Sequence, residues 1–130
     1  MDTIYHPWLG LPHEIGADPR NGQAACCLVM AKILLEANGQ SAPSIDEWIE
    51  MARDGEWDLL RDAFYRNTEE LPKAEPYSLT LLEDEQEGLG LGTVIPGRLL
   101  LVPLHKRGVS TIPLFALPST TTYHRVLSYA

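Results

Sequence analysis

The sequence predicts an α+β domain in which N-terminal helices, one of them a buried central helix, pack on a small C-terminal antiparallel sheet. Helical patterns end near residue 66, and from residue 93 the spacing of apolar residues becomes that of strands. A length of 130 residues allows one domain with a substantial core but not two. We therefore predict a single domain over 1–130, helical over about 1–66, loop-rich over 67–92 and β over about 93–130.

The central helix is predicted at about 24–38. Its residues are strong helix formers and almost wholly apolar, which is typical of a helix buried on most sides. The turn signal Asp18-Pro19 precedes it, and Asn38-Gly39 is typical of a left-handed helix end. We expect this helix in the core, with its N-terminus reached through a surface loop.

Two more helices and a set of strands are predicted after it. A capping-box pattern begins the second helix at Ser44, and a short third helix follows near 57–66. Pro113 indicates that the strand containing it lies at an edge or contains a bulge. Four strands are predicted, at Tyr77–Leu82, Arg98–Leu104, Val109–Leu117 and Thr120–Tyr129.

Composition excludes several classes of partner. The net charge of −8 speaks against binding to nucleic acid or an anionic membrane, because both need clustered Lys and Arg. No apolar run is long enough to insert into a membrane, and no basic leader is visible, so we expect synthesis in the cytoplasm.

No cofactor or metal site is predicted. The glycines at 88, 90 and 92 lack the spacing and the following helix of a dinucleotide fingerprint. His6 and His13 have no cysteine nearby in the sequence and, apart from Glu14, no carboxylate at ligand spacing. Cys26 and Cys27 are adjacent, so we expect reduced thiols that fill a core.

Several short motifs keep a consistent order along the chain. They are Trp8-Leu9-Gly10-Leu11-Pro12, Asp18-Pro19, Asn21-Gly22, Leu28-Val29, Gly39 and Pro96-Gly97-Arg98-Leu99-Leu100-Leu101. In this order they resemble the NlpC-type cell-wall peptidases, a papain-like family, and especially its branch among bacteriophage tail proteins. The resemblance is thin over 40–92. It implies a papain-like fold in which a cysteine at the start of a buried helix is the nucleophile.

The resemblance also implies that the family's catalytic residues are missing. Counting from Gly22, the nucleophile position falls on Ala25, and the general-base histidine falls on Thr111. The aspartate of the family's Pro-Gly-Asp strand is replaced by Arg98. Alanine cannot attack a carbonyl, and threonine has no basic nitrogen. This alignment predicts the family's fold without its activity.

A second alignment keeps a cysteine at the nucleophile position. Counting backward from Gly39, the family cysteine falls on Cys26, and His124 or His105 would then act as the base. One residue turns a helix by about 100°, so we expect that Cys26 and Cys27 do not both face one cleft.

Three functions are compatible with these patterns. The first is a catalytically inactive structural component of a phage tail, at the tip or baseplate, which resides in the virion and contacts other tail proteins or further copies of itself. The alternative is an active cysteine peptidase or amidase that cleaves peptidoglycan stem peptides with Cys26 and His124. The third is a host domain that binds a small ligand or peptide in the vestigial cleft.

Overall fold

A computed structural model describes residues 3–84 and 88–127. Within them, three α-helices precede a six-stranded antiparallel sheet, so the predicted α+β class is confirmed. The helices are α1 (Cys27–Ala37), α2 (Ser44–Arg53) and α3 (Trp57–Arg66). The strands are β1 (Thr68–Leu71), β2 (Leu79–Asp84), β3 (Gly88–Ile95), β4 (Leu99–Leu104), β5 (Gly108–Pro113) and β6 (Tyr123–Val126). No helix in this part of the chain combines the length and apolarity that crossing a bilayer requires.

The sheet has the order β1-β6-β2-β3-β4-β5, which leaves β1 and β5 at its edges. On β5, Val109 turns its backbone outward: its N–H donates to Leu11 and its C=O accepts from Gly10, at 2.9 and 2.8 Å. Pro113 lies four residues further along and faces the same way, so its missing N–H removes no bond to β4. The predicted edge position of Pro113 is confirmed.

The prediction of a loop-rich segment over 67–92 is wrong, because β1, β2 and most of β3 lie within it. The three glycines are residues of β3 rather than of a turn. A Cβ atom on Gly92 would lie 2.6 Å from the side chain of Leu100 on β4, so glycine here makes room for a cross-strand neighbour. Residues 85–87, which the same prediction covered, lie outside the described residues.

The strand predictions differ from the structure mainly at their ends. The strand predicted at Tyr77–Leu82 runs two residues further along, as β2. The strand predicted at Val109–Leu117 ends at Pro113, because a short 3₁₀ turn follows. The last predicted strand, Thr120–Tyr129, is reduced to β6, and its end at 128–129 lies outside the described residues.

The central helix is confirmed, but it begins three residues later than predicted. Ala25 forms a parallel β-bridge with His13, and Cys26 has an extended backbone (φ −94°, ψ 131°) as the N-cap of α1. At the other end Gly39 has φ +79°, and the N–H of Gln40 bonds back into the last turn. The helix is therefore entered from an extended segment.

The main core lies between the helices and one face of the sheet. Its fully buried members include Met30 and Leu34 from α1, Trp48 from α2 and Phe64 from α3. A smaller apolar cluster around Leu100 covers the opposite face of the sheet. The capping box predicted at Ser44 does not form, because Ser44 is the first helical residue and Pro43 the N-cap.

Candidate functional site

A cleft with a volume of about 770 Å³ opens at the N-terminal end of α1. The loop around 10–15 forms one wall, and the turn between β4 and β5 forms another. Cys26 and Cys27 lie in this lining, together with His13. The cleft therefore combines two thiols and the His13 imidazole, all from the first 27 residues of the chain, with a second imidazole, that of His105.

Backbone hydrogen bonds hold the loop that carries His13. The N–H of Ala25 donates to Pro12 at 2.9 Å, and the N–H of Glu14 donates to Ala25 at 3.2 Å. On the far side the loop approaches β5 so closely that a Cβ on Gly108 would lie 2.5 Å from the carbonyl oxygen of Gly10. Because both sides are bonded, the backbone at His13 is held next to the start of α1.

Cys26 and Cys27 are free thiols, 1% and 5% exposed. Their two sulfur atoms and a ring nitrogen of His13 all lie within 4.8 Å of one another. The prediction that the two cysteines could not face one cleft is therefore wrong. That prediction assumed helical geometry for both residues, whereas Cys26 is the N-cap of α1 and has an extended backbone.

The two thiols shift each other's pKa in opposite directions. The contact with Cys27 lowers the pKa of Cys26; burial opposes this, and His13 and the N–H groups of Gly16 and Val29 lower it further. The contact with Cys26, together with burial, raises the pKa of Cys27. Their shared contact therefore favours ionisation of Cys26 over ionisation of Cys27.

The two positions that the first alignment assigned to catalysis lie elsewhere. Ala25 is 0% exposed and takes part in the β-bridge rather than in the cleft lining. Thr111 is half-buried on β5 opposite Leu101 and does not line the cleft. Of the candidate nucleophile positions, the residue at the start of α1 is Cys26.

His124, the base in the second alignment, is a core residue of the β1–β6 edge. Its ring nitrogens lie 3.4 Å from the hydroxyl of Thr68 and 3.0 Å from that of Thr122. Its ring packs edge-on against Phe64 and Tyr65, with centroids 5.0 and 5.4 Å apart. Only 3% of the residue is exposed, and both ring nitrogens have hydroxyl partners within the protein. His124 is therefore a buried polar residue with its hydrogen bonds made inside the fold.

The structure does not bring His124 and Cys26 together. His124 is not among the residues that line the cleft, whereas His105 is, at the turn between β4 and β5. Burial lowers the pKa of His124, and Glu70 opposes that shift. A neutral, buried imidazole away from the thiols does not meet the geometric condition for their general base.

Sequence reasoning considered His13 as a metal ligand and dismissed it, because no cysteine lies near it along the chain. It lies far from the cysteines along the chain, and only the bridge between His13 and Ala25 brings them together. The one signal in the sequence is indirect: a loop rich in Gly and Pro leads toward the helix that carries both cysteines. That pattern predicts that a surface loop leads to the N-terminus of the helix, but it does not predict which side chain of the loop lies next to the cysteines.

The three side chains offer two kinds of chemistry. A thiolate beside an imidazole can act as a nucleophile with its base. Two sulfur atoms and one nitrogen can also bind a thiophilic metal ion. No protein-family model, curated protein sequence or solved structure matches the chain.

Proposed function

We propose that the chain is a catalytically inactive domain with an NlpC-like, papain-like fold that serves as a structural part of a bacteriophage tail, at the tip or baseplate. The observation that carries the inactive assignment is the burial of both thiols, at 1% and 5% exposure. The proposed tail location rests on the resemblance of the sequence motifs. In this account the protein resides in the virion and acts through contacts with other tail proteins or with copies of itself.

The arrangement of α1 supports the papain-like part of this proposal. A papain-like enzyme presents its cysteine at the start of a buried helix that packs on an antiparallel sheet. Here α1 packs on β3, and Cys26 begins the helix at the edge of a cleft. The Trp8–Pro12 motif also has a structural role, because its Gly10 and Leu11 bond to β5.

The residues around the cleft support a loss of activity. The positions that the first alignment assigns to the nucleophile and the base, Ala25 and Thr111, cannot perform these steps and do not line the cleft. Cys26 has little surface through which a peptide carbonyl could reach it. The imidazole of His124, the predicted alternative base, is held by Thr68 and Thr122.

Exposed apolar side chains support a role in protein contacts. Phe115, on the 3₁₀ turn after β5, is 90% exposed. Leu9, Leu59 and Tyr65 are each about half exposed. Large aromatic side chains are enriched in protein–protein interfaces, and one that is almost fully exposed is suited to burial by a partner.

The tail proposal is tested by measuring the protein in purified virions. We expect it to co-purify with the particles at a fixed copy number relative to a major tail protein, as counted by quantitative mass spectrometry. A Phe115→Ala variant should be incorporated less well, whereas an Arg20→Ala variant, changed at another exposed position, should be incorporated normally. Absence from virions would contradict the proposal.

The geometry favours one modified form of the alternative function, an active cysteine peptidase or amidase. Cys26 begins α1, its pKa is lowered, and a ring nitrogen of His13 lies within 4.8 Å. His13 would then be the base, in place of His124. Hydrolysis of peptidoglycan stem peptides that disappears in both Cys26→Ala and His13→Ala, but persists in His6→Ala, would establish this alternative.

A further inference from the structure

We propose that His13, Cys26 and Cys27 form a binding site for one Zn²⁺ ion at the N-terminal end of α1. Among the described residues, this is the one group of three His, Cys or carboxylate side chains whose ligand atoms all lie within 4.8 Å of one another. The proposal does not depend on a role in a phage tail, because it uses only the local geometry of the cleft.

The ligand types suit zinc better than the other common biological cations. Thiolate sulfur and imidazole nitrogen are the usual zinc ligands, whereas Mg²⁺ and Ca²⁺ require oxygen. Two thiolates would balance the charge of a divalent ion. The Cys26 and Cys27 sulfur atoms lie side by side in a buried position, which protects such bonds from water.

The distances allow the ion to bind with a small adjustment. In a tetrahedral site, zinc–sulfur and zinc–nitrogen bonds of ordinary length place the ligand atoms about 3.5–3.8 Å apart. From separations within 4.8 Å, the ligand atoms would draw together by at most about 1.3 Å. His13 is exposed, so its ring can move toward the thiols without disturbing the core.

Three protein ligands leave the fourth position of the ion open. All three ligands line the same cleft, so this position would face the cleft and take a water molecule or a ligand from outside the site. An ion bound in this way would occupy the sulfur lone pairs of Cys26. The proposed site therefore also gives a chemical reason for Cys26 not to act as a nucleophile.

Cobalt titration tests the site directly, because Co²⁺ replaces Zn²⁺ and its bonds to thiolates absorb light. With the metal-free, reduced protein, we expect one equivalent of Co²⁺ to produce a thiolate charge-transfer band and the intense visible bands of tetrahedral cobalt. One equivalent of Zn²⁺ should abolish these bands, whereas excess Mg²⁺ should not. The titration uses the wild-type protein, so its outcome does not depend on whether a variant folds.

Variants then test the three ligands. Cys26→Ala and Cys27→Ala should each weaken the charge-transfer band, and His13→Ala should lower the apparent Zn²⁺ affinity at least tenfold, since losing even a partner of a metal ligand costs 10–100-fold. His6→Ala, at a histidine outside the cleft lining, should bind normally. Circular dichroism confirms the fold of each variant. The absence of a thiolate band in the wild-type protein, or an unchanged affinity in His13→Ala, would overturn the proposal.

Discussion

His13 and His124 are two histidines in contrasting surroundings. His124 is buried at the β1–β6 edge, with hydroxyl groups at both ring nitrogens and edge-on contacts with two aromatic rings. His13 is exposed on a loop, and its notable neighbours are the two buried thiols of Cys26 and Cys27.

The difference shows that the surroundings of a histidine decide its role. The hydrogen bonds of His124 are made within the protein, so its ring contributes to stability and is not available to a substrate or ion. The ring of His13 is exposed, contributes little to the core and is positioned to bind a metal ion together with the thiols. We therefore expect changes near His124 to affect stability, and changes at His13 to affect the chemistry of the thiols.

The largest effect is expected for Phe64→Ala, which removes the ring between Trp48 and His124. Phe64 is 0% exposed, with ring centroids 5.5 Å from Trp48 and 5.0 Å from His124. We expect a loss of about 3–5 kcal/mol in the free energy of unfolding, measured with urea. Phe115→Ala is the matched control, since the same change at 90% exposure should alter stability by less than about 0.5 kcal/mol.

The comparison is tested directly by His124→Ala and His13→Ala. Removing His124 leaves a cavity and takes a partner from the Thr122 hydroxyl, so we expect a loss of about 2–3 kcal/mol in stability. Thr68 keeps its bond to the Phe64 carbonyl, which limits the loss. His13→Ala should stay within about 0.5 kcal/mol of the wild type in metal-free buffer. Equal losses would contradict the distinction between the two histidines.

A pH series separates the titration of His124 from other effects. Burial lowers its folded-state pKa below the ordinary value of 6.5, so the unfolded chain binds more protons in acid. The contribution of His124 to the free energy of unfolding is therefore complete above about pH 6.5. It is lost as pH falls toward the folded-state pKa, and the free energy of unfolding then changes by at most about 1.4 kcal/mol per pH unit.

The measurement is the unfolding free energy of wild type and His124→Gln between pH 7.5 and 5.5. We expect the advantage of the wild type to shrink as pH falls, while acidic groups shared by both proteins cancel. Phe115→Ala, which removes an exposed side chain without a titratable group, is the control and should keep the pH dependence of the wild type. An advantage that grows in acid would show that the sign of the His124 shift is wrong.

The smallest effect is expected at an ion pair beside His124. Arg125 and Glu69 face each other across β6 and β1 at 3.0 Å, but both side chains are about half exposed. Arg125→Ala should cost about 0.2–1 kcal/mol, and the difference should decrease in high salt. A larger loss that is insensitive to salt would indicate packing of the Arg125 stem rather than charge.

Local signals in the sequence predicted the helices well. The left-handed helix end at Gly39 and the apolar composition of α1 depend on residues close together in the chain. Both features can therefore be predicted from the sequence alone. The glycines of β3 misled the prediction, because the need for glycine at position 92 comes from Leu100 on the neighbouring strand. Such a requirement is visible only once the strands are paired.

The candidate site depends on long-range contacts in the same way. Sequence reasoning included Cys26 among the candidate residues but paired it with His124 or His105, of which only His105 lines the cleft. The structure instead places His13 next to Cys26 through the bridge to Ala25. The sulfur atoms of the two cysteines lie close together, and Cys26 has an extended backbone. The sequence did not predict this backbone conformation, because the neighbouring residues have a strong helix propensity.

The most direct test of the account is the alkylation rate of Cys26 and Cys27, resolved by peptide, in folded and unfolded protein. The measurement is made in metal-free, reduced protein at neutral pH. Because both thiols are buried, we predict slow alkylation in the folded state, still slower after one equivalent of Zn²⁺, and fast alkylation after unfolding. Rapid alkylation of Cys26 alone in the folded protein would contradict this account and identify Cys26 as an accessible nucleophile.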